Sequence, residues 1–243
     1  KEQIEEYGME PFIKKCKESV WKYKGMWEDF SDTVGFWADM DDPYVTYDDN
    51  FIESEWWALK EIWNKGLLYK GFKIVPYCPR CGTPLSAQEV AQGYKTVKER
   101  SAIVRFKVTG EDAYFLAWTT TPWTLPSNAA LCVNPDAAYV KVKSDDEVYI
   151  LAEALADKVL GEGNYEVLER MQGRELEGRE YEPLFRFVSP AEKCWYVTMD
   201  DYVTMDDGTG IVHTAPAFGE DDARVGRKYG LPLIQLVDSK GEM

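Results

Sequence analysis

Four threonines, two prolines and a tryptophan crowd into ten residues, Thr119-Thr120-Thr121-Pro122-Trp123-Thr124-Leu125-Pro126-Ser127-Asn128. They follow Ala113-Tyr114-Phe115-Leu116-Ala117-Trp118 directly, a run with the aromatic and apolar character of a strand. Each proline fixes its φ and removes a backbone donor, so the ladder cannot continue through Pro122 and Pro126. The strand therefore ends in an irregular, hydroxyl-rich loop with exposed amides at the edge of a sheet, a surface suited to holding a small polar ligand or a water. Three adjacent threonines cannot all face one way on a strand, so one or two of them are expected to serve structure alone.

The two sides of this loop differ in texture. Upstream, Phe12, Ile13, Cys16, Val20, Tyr23 and Trp27 recur at steps of three and four from Pro11 onward, predicting one amphipathic helix to about Phe30. A second helix is expected after Asp48-Asp49-Asn50, carrying Ile52, Trp56, Leu59, Ile62 and Trp63 and stopped by Gly66. A short strand region, 73–77, leads into a knuckle, Cys78-Pro79-Arg80-Cys81. Downstream, alternation predicts strands at 102–108, 138–142, 148–151, 165–168, 184–188, 202–205, 211–214 and 233–237, with helices only at 152–160 and 221–229. This places a domain boundary near Tyr94: a mainly helical segment, 1–93, and a β-rich domain, 94–243, of mixed α/β class. The hexapeptide Tyr-Val-Thr-Met-Asp-Asp occurs twice in succession, from Tyr196 and from Tyr202, with no physical reason apparent in the sequence.

Charge and cysteine usage narrow the function classes. With 43 acidic against 28 basic residues, the net charge of −15 excludes a protein living by non-specific phosphate binding, so any nucleic acid is met locally. The 45% hydrophobic content excludes disorder. No apolar run approaches the ~20 residues of a membrane span and no leader is evident, so no membrane partner and a cytoplasmic location are expected. Five cysteines, two in a Cys-x-x-Cys pair, suit a reducing compartment and a metal motif rather than a disulfide framework.

A second unusual stretch, Gly208-Thr209-Gly210-Ile211-Val212-His213-Thr214-Ala215-Pro216-Ala217-Phe218-Gly219-Glu220-Asp221-Asp222, has glycines where backbone must approach something closely and holds the only histidine. It opens a helix with three carboxylates, which the helix dipole favours there.

Together the two stretches resemble the editing domain that class I aminoacyl-tRNA synthetases of the isoleucyl type insert into their nucleotide-binding catalytic domain. Phe51-Ile52-Glu53-Ser54-Glu55-Trp56-Trp57, Gly66-Leu67-Leu68-Tyr69 and Pro76-Tyr77-Cys78-Pro79-Arg80-Cys81 resemble the segments that precede the insertion, so the likeness runs over essentially the whole chain. It implies a barrel-like β-rich editing domain behind a helical stem from the catalytic domain. The activity implied is hydrolysis of the ester between valine and the tRNA for isoleucine, within an isoleucine-tRNA ligase. The partners implied are the aminoacylated 3′ end of that tRNA and the rest of the synthetase chain, and we expect a monomer. The His-x-Gly-His and Lys-Met-Ser-Lys-Ser motifs that bind ATP in the family are absent, so no amino acid activation is expected. The family often completes a four-thiolate zinc site with a second Cys-x-x-Cys, and here only Cys78 and Cys81 are present. Two thiolates match structural zinc poorly, so a weak or empty half site is expected, no cofactor in this chain, and zinc only in the full-length enzyme.

The resemblance also assigns roles. Asp222 matches the aspartate that grips the substrate ammonium, against the plainer reading that Asp221 and Asp222 merely stabilise a helix start. Thr119, Thr120, Thr121 and Thr124 would line the pocket, holding ribose, carbonyl and water, against strand-edge threonines bonded to neighbouring backbone. Asn128 is a family position and equally a turn residue. His213 has the chemistry of a general base; the resemblance favours shaping a pocket that admits valine and excludes isoleucine, and we prefer that to proton abstraction. The competing class is a non-catalytic module, docking tRNA or serving as a structural zinc knuckle, with Lys95, Lys98, Arg100 and Arg105 as contacts; it would bind tRNA without hydrolysing the ester.

Overall fold

The computed structural model describes residues 2–243, in two compact units, one ending at Gly71 and one spanning Phe72–Met243. The first is helical, with α1 (Glu2–Tyr7), α2 (Met9–Lys22), α3 (Lys24–Thr33) and α4 (Asp49–Asn64). The single helix expected from Pro11 to Phe30 is thus two. Tyr23 leaves helical geometry at φ −103° and ψ −2°, and Gly25 just beyond it weakens propagation. α4 begins where Asp48 to Asn50 predicted. None of α2, α3 or α4 buries a residue, and large apolar side chains such as Trp27 and Trp56 stand about two-thirds exposed, at 68% and 70%.

The second unit opens with a two-stranded ribbon, β1 (Tyr77–Cys78) against β2 (Thr83–Pro84), and then α5 (Ala87–Gln92). α5 starts on a reciprocal cap: the Glu89 amide donates to Ser86 Oγ at 3.3 Å and the Ser86 amide to Glu89 Oε2 at 2.7 Å. The texture of the sequence changes at 93/94, yet the chain's contacts divide it at Gly71, because ribbon and α5 group with the strands that follow. The first strand of this unit lies against its last residues: the Tyr77 hydroxyl donates to the Ser239 carbonyl at 3.1 Å.

The strands that follow are β3 (Ala102–Lys107), β4 (Tyr114–Thr119), β5 (Ala130–Val133), β6 (Ala138–Ser144), β7 (Glu147–Ala152), β8 (Glu166–Gln172), β9 (Tyr196–Met199) and β10 (Ile211–Thr214), with short α6 (Ala156–Leu160) after β7 and α7 (Glu220–Tyr229) after β10. Their order is β8-β6-β7-β4-β10-β5-β9, with β3 along the other edge of β4. β4 is therefore a fork. Its first half pairs in parallel with β7 through Tyr114 and Phe115, and its second half with β10 through Trp118.

One branch closes on itself. The segment from Gly178 to Glu182 bonds to β3 on one side, Thr109 amide to Glu180 carbonyl at 2.9 Å and Glu182 amide to Lys107 carbonyl at 2.8 Å. On its other side it bonds to β9, through Val197 amide to Arg179 carbonyl at 2.9 Å and Gly178 amide to Val197 carbonyl at 2.8 Å. β3, β4, β10, β5, β9 and this segment thus form a closed ring, the barrel-like arrangement of a β-rich α/β unit. Phe106, Phe115, Leu131, Val197 and Ile211 fill it, each fully buried.

Three expected strands are corrected. Residues 184–188, 202–205 and 233–237 form no ladder, while β5 and β9 arise where none was expected. The repeated hexapeptide explains one exchange. Its first copy is β9, paired in parallel with β5; its second is a turn-rich loop. Asp200 ends the first copy by accepting the Tyr202 amide at 3.2 Å, and is itself clamped by Arg224 at 2.7 and 3.0 Å. Identical sequence takes two conformations because only one copy has a strand to lie against. At 184–188, Phe185 and Phe187 stack on each other at 5.4 Å instead of facing opposite ways. Residues 233–237 follow Pro232 and find no partner strand. Among the described residues, no helix is long and apolar enough to cross a membrane.

Candidate functional site

The two unusual stretches meet because of strand order. The threonine loop joins β4 to β5, and β10, which carries His213, lies between those two strands. Rather than running irregularly, the loop tightens into one 3₁₀ turn, Pro122–Ser127, with Pro122 in the first position where its missing donor costs nothing. The Thr121 carbonyl accepts the Thr124 amide at 3.0 Å and the Thr124 hydroxyl at 2.8 Å, while the Thr121 amide donates to Thr119 Oγ1 at 3.0 Å. Burial divides the four threonines: Thr119 and Thr124 are buried, Thr120 and Thr121 exposed.

His213 is 5% exposed and has both ring nitrogens engaged, Nε2 at 2.8 Å from Thr124 Oγ1 and Nδ1 at 2.9 Å from Asn128 Nδ2. The partners decide the tautomer. The Asn128 amide nitrogen can only donate, giving one proton to the Ala130 carbonyl at 2.8 Å and the other to Nδ1. Nδ1 is then the bare acceptor, so Nε2 carries the proton and donates to Thr124 Oγ1, whose own proton is committed to the Thr121 carbonyl. Burial pushes the imidazole down to about 4. At neutral pH the ring is uncharged and its basic nitrogen is occupied.

Asn128 is itself held. The buried Tyr181 hydroxyl donates to its Oδ1 at 2.6 Å, and the Trp195 indole N–H to its carbonyl at 3.1 Å. Trp195 sits at φ +63°, a left-handed conformation costly for a bulky residue. There its amide donates to the Ala129 carbonyl at 2.7 Å and its carbonyl accepts the Tyr181 amide at 3.0 Å, so Trp195 is bonded to both sides of Asn128's surroundings.

Asp222 lies in the first turn of α7. Its Oδ2 accepts the Ala215 amide at 2.9 Å, two residues after His213, and its Oδ1 is 3.5 Å from the Tyr202 hydroxyl. Burial pushes its carboxyl up to about 6. No ion pair among the described residues engages it, whereas its neighbour Asp221 pairs with Arg224 at 2.9 Å, the guanidinium that also clamps Asp200. The two adjacent aspartates are therefore different in kind: one is neutralised at the surface, the other is half-hidden and lacks a cation.

Thr119, Thr121, Thr124, Asn128 and His213 thus form one bonded run, and Asp222 joins it through the short segment to Ala215. Thr120 stands exposed beside it. Cys78 and Cys81 lie elsewhere, in the β1–β2 ribbon. There the Cys81 amide bonds to Cys78 Sγ at 3.3 Å and lowers that thiol, while the hydrogen bond with Cys78 raises Cys81. No group of three or more His, Cys, Asp or Glu side chains able to hold a metal ion gathers among the described residues, so this pair supplies two of zinc's four donors and does not by itself fit the ion. Of the basic residues, Lys95, Lys98 and Arg100 lie on exposed coil before β3, and Arg105 is paired with Glu147. Tyr181, Tyr202 and Trp195, which hold Asn128 and Asp222, were not among the expected site residues. Each looks like an ordinary aromatic core position, and only the fold brings them here.

The family described as tRNA synthetases class I (I, L, M and V) matches residues 1–212. The isoleucine–tRNA ligase of Clostridium novyi (strain NT) is 61% identical over 243 residues, all of this chain and 23% of that protein. That of Bacillus thuringiensis (strain Al Hakam) is 54% identical over the same length, again 23% of the protein. The chain thus spans about a quarter of the length of these relatives. Among solved structures, the editing domain of the P. knowlesi cytosolic leucyl-tRNA synthetase aligns with a TM-score of 0.45 and 16% identity, covering 57% of this chain and 66% of that one.

Proposed function

The chain belongs to the class I tRNA synthetases (I, L, M and V), and on that premise we propose that its β-rich unit hydrolyses the ester of valine wrongly joined to the tRNA for isoleucine. It does so in the cytoplasm, as one part of an isoleucine-tRNA ligase whose remaining chain binds ATP and most of the tRNA. Such a step is needed because one missing methylene gives a synthetic site only ~1–3 kcal/mol of discrimination.

The observation that carries this reading is Asp222, a carboxylate half-hidden, raised to about 6 and without a cation, next to the histidine–threonine run. A substrate ammonium supplies the missing charge, and the charge-assisted bond it forms exceeds a neutral one. It also separates an aminoacyl ester from a bare tRNA end. The ester is already activated, so the site needs only to orient its carbonyl and a water. In this reading the exposed Thr120 and Thr121 serve ribose, carbonyl and water, while buried Thr119 and Thr124 hold the loop in shape. His213, neutral and locked, forms a wall that limits side-chain size. Zinc enters no step.

The test is deacylation of valyl-tRNA for isoleucine by the chain, with Asp222→Ala as the paired variant. Hydrolysis that Asp222→Ala abolishes supports the reading, and equal hydrolysis by both sinks the ammonium assignment. Binding of tRNA without hydrolysis by the unaltered chain would leave the docking-module alternative in its place.

A further inference from the structure

The sequence leaves Asn128 between a substrate contact and a turn residue. In the structure both of its N–H donors are committed, to the Ala130 carbonyl and to His213 Nδ1, and its Oδ1 takes the Tyr181 hydroxyl at 2.6 Å. The side chain is 5% exposed. Buried and with no donor free, the side chain makes its one contact with the other expected site residues at the imidazole.

We propose that Asn128 is a positioning residue which, held by Tyr181, fixes His213 as the Nε2–H tautomer, so that the ring serves as a neutral donor to the threonine loop and not as a base. This rests on the hydrolytic reading above and deepens it. A histidine free to exchange tautomers would present its lone pair to the loop part of the time, releasing Thr124 to donate to the ring and the Thr121 carbonyl to go without that bond. With the amide nitrogen behind it, the ring offers the loop an N–H only, the Thr124 proton stays on the Thr121 carbonyl, and the 3₁₀ turn bearing Thr120 and Thr121 keeps one shape. The amide's own direction is set twice, by a donor at its oxygen and an acceptor at its nitrogen, so it cannot flip without losing both.

The chain's single histidine makes this directly measurable. Nitrogen-15 labelling of histidine gives one ring, whose two shifts report which nitrogen is protonated. In the whole chain at neutral pH we expect Nε2 protonated and Nδ1 bare, with a titration midpoint near 4. A protonated Nδ1, or shifts averaged between tautomers, would overturn the proposal. Asn128→Asp replaces the donor with an acceptor. The proton should move to Nδ1 and the titration midpoint rise by about 1–3 pH units, bringing an ionisation of the ring into the pH profile of ester hydrolysis. If the ring in Asn128→Asp keeps the wild-type tautomer, Asn128 does not set it. Should that variant fail to fold, Thr124→Val discriminates as well: the Nε2–H form should survive removal of its acceptor, and a switch to Nδ1–H would assign control to Thr124. Hydrolysis of valyl-tRNA is followed in the same samples. A locked Nε2–H ring in a chain without hydrolysis refutes the hydrolytic reading alone, and hydrolysis with an averaged ring refutes the tautomer lock alone.

Discussion

Asp222 holds its carboxyl above the ordinary 3.8, at about 6, because burial disfavours the charge. The folded group binds its proton more readily than the unfolded one. This favours the fold fully below 3.8, and the advantage is lost as pH rises through about 6. At neutral pH the ionised group therefore costs the fold stability, and Asp222→Asn should raise it by roughly 1–3 kcal/mol, lifting the melting temperature by about 2–4 °C for each kcal/mol. The same change should abolish valyl-ester hydrolysis. A calorimetric scan showing a lower melting temperature would contradict a carboxylate held at such a cost. Since gripping an ammonium needs the ionised form, kcat/KM of the unaltered chain should fall as pH drops through about 6, and a flat profile from pH 5 to 8 would count against Asp222. His213→Ala opens the wall of the site, so correctly charged isoleucyl-tRNA should become a substrate; selectivity that stays intact would remove the size-limiting role. That change should also cost about 2–4 kcal/mol, from the cavity and from the N–H of Asn128 left without an acceptor.

At the scale of elements, β10 is placed by a glycine just ahead of it. Gly210 has φ +71°, and a Cβ there would lie 2.3 Å from the Ala152 Cβ, whereas Gly110 has a similar φ of +75° with open space around it. Gly110→Ala should cost about 1–2 kcal/mol, the conformational part alone, and Gly210→Ala several kcal/mol more in denaturant unfolding; equal losses would mean β10 yields freely. The helices α4 and α7 were legible because acidic first turns, periodicity and terminal glycines all act within a few residues. So was the end of β4, which its prolines dictate. The ring was not legible, since the Gly178–Glu182 segment that joins β3 to β9 carries no alternation and takes its conformation from partners on both sides. Likewise Tyr196 to Met199 and Tyr202 to Met205 share one sequence, and only the presence of β5 beside the first makes it a strand. Within the site, the threonine run and the lone histidine stand out in the sequence as unusual residues, while Asp222 was singled out only by the resemblance. The physical difference between Asp221 and Asp222 could not be read from composition, because it depends on where the Arg224 side chain lands.

For the whole molecule, the charge of −15 means that any contact with nucleic acid is local, and the helical unit leaves large apolar side chains such as Trp27 and Trp56 exposed. The Cys78–Cys81 pair supplies half a zinc site, so a stoichiometric, tightly held zinc in this chain is not expected; replacing both thiols by serine should leave the melting temperature unchanged, and a fall of several degrees would show that a metal supports the ribbon. The contact of Tyr77 with Ser239 has a further consequence. The two ends of a stretch spanning 162 positions lie one hydrogen bond apart, so that stretch can be excised with its ends held together, or joined into a host through a linker of a few residues. Whatever chemistry the stretch carries would travel with it, gained or lost in a single genetic event.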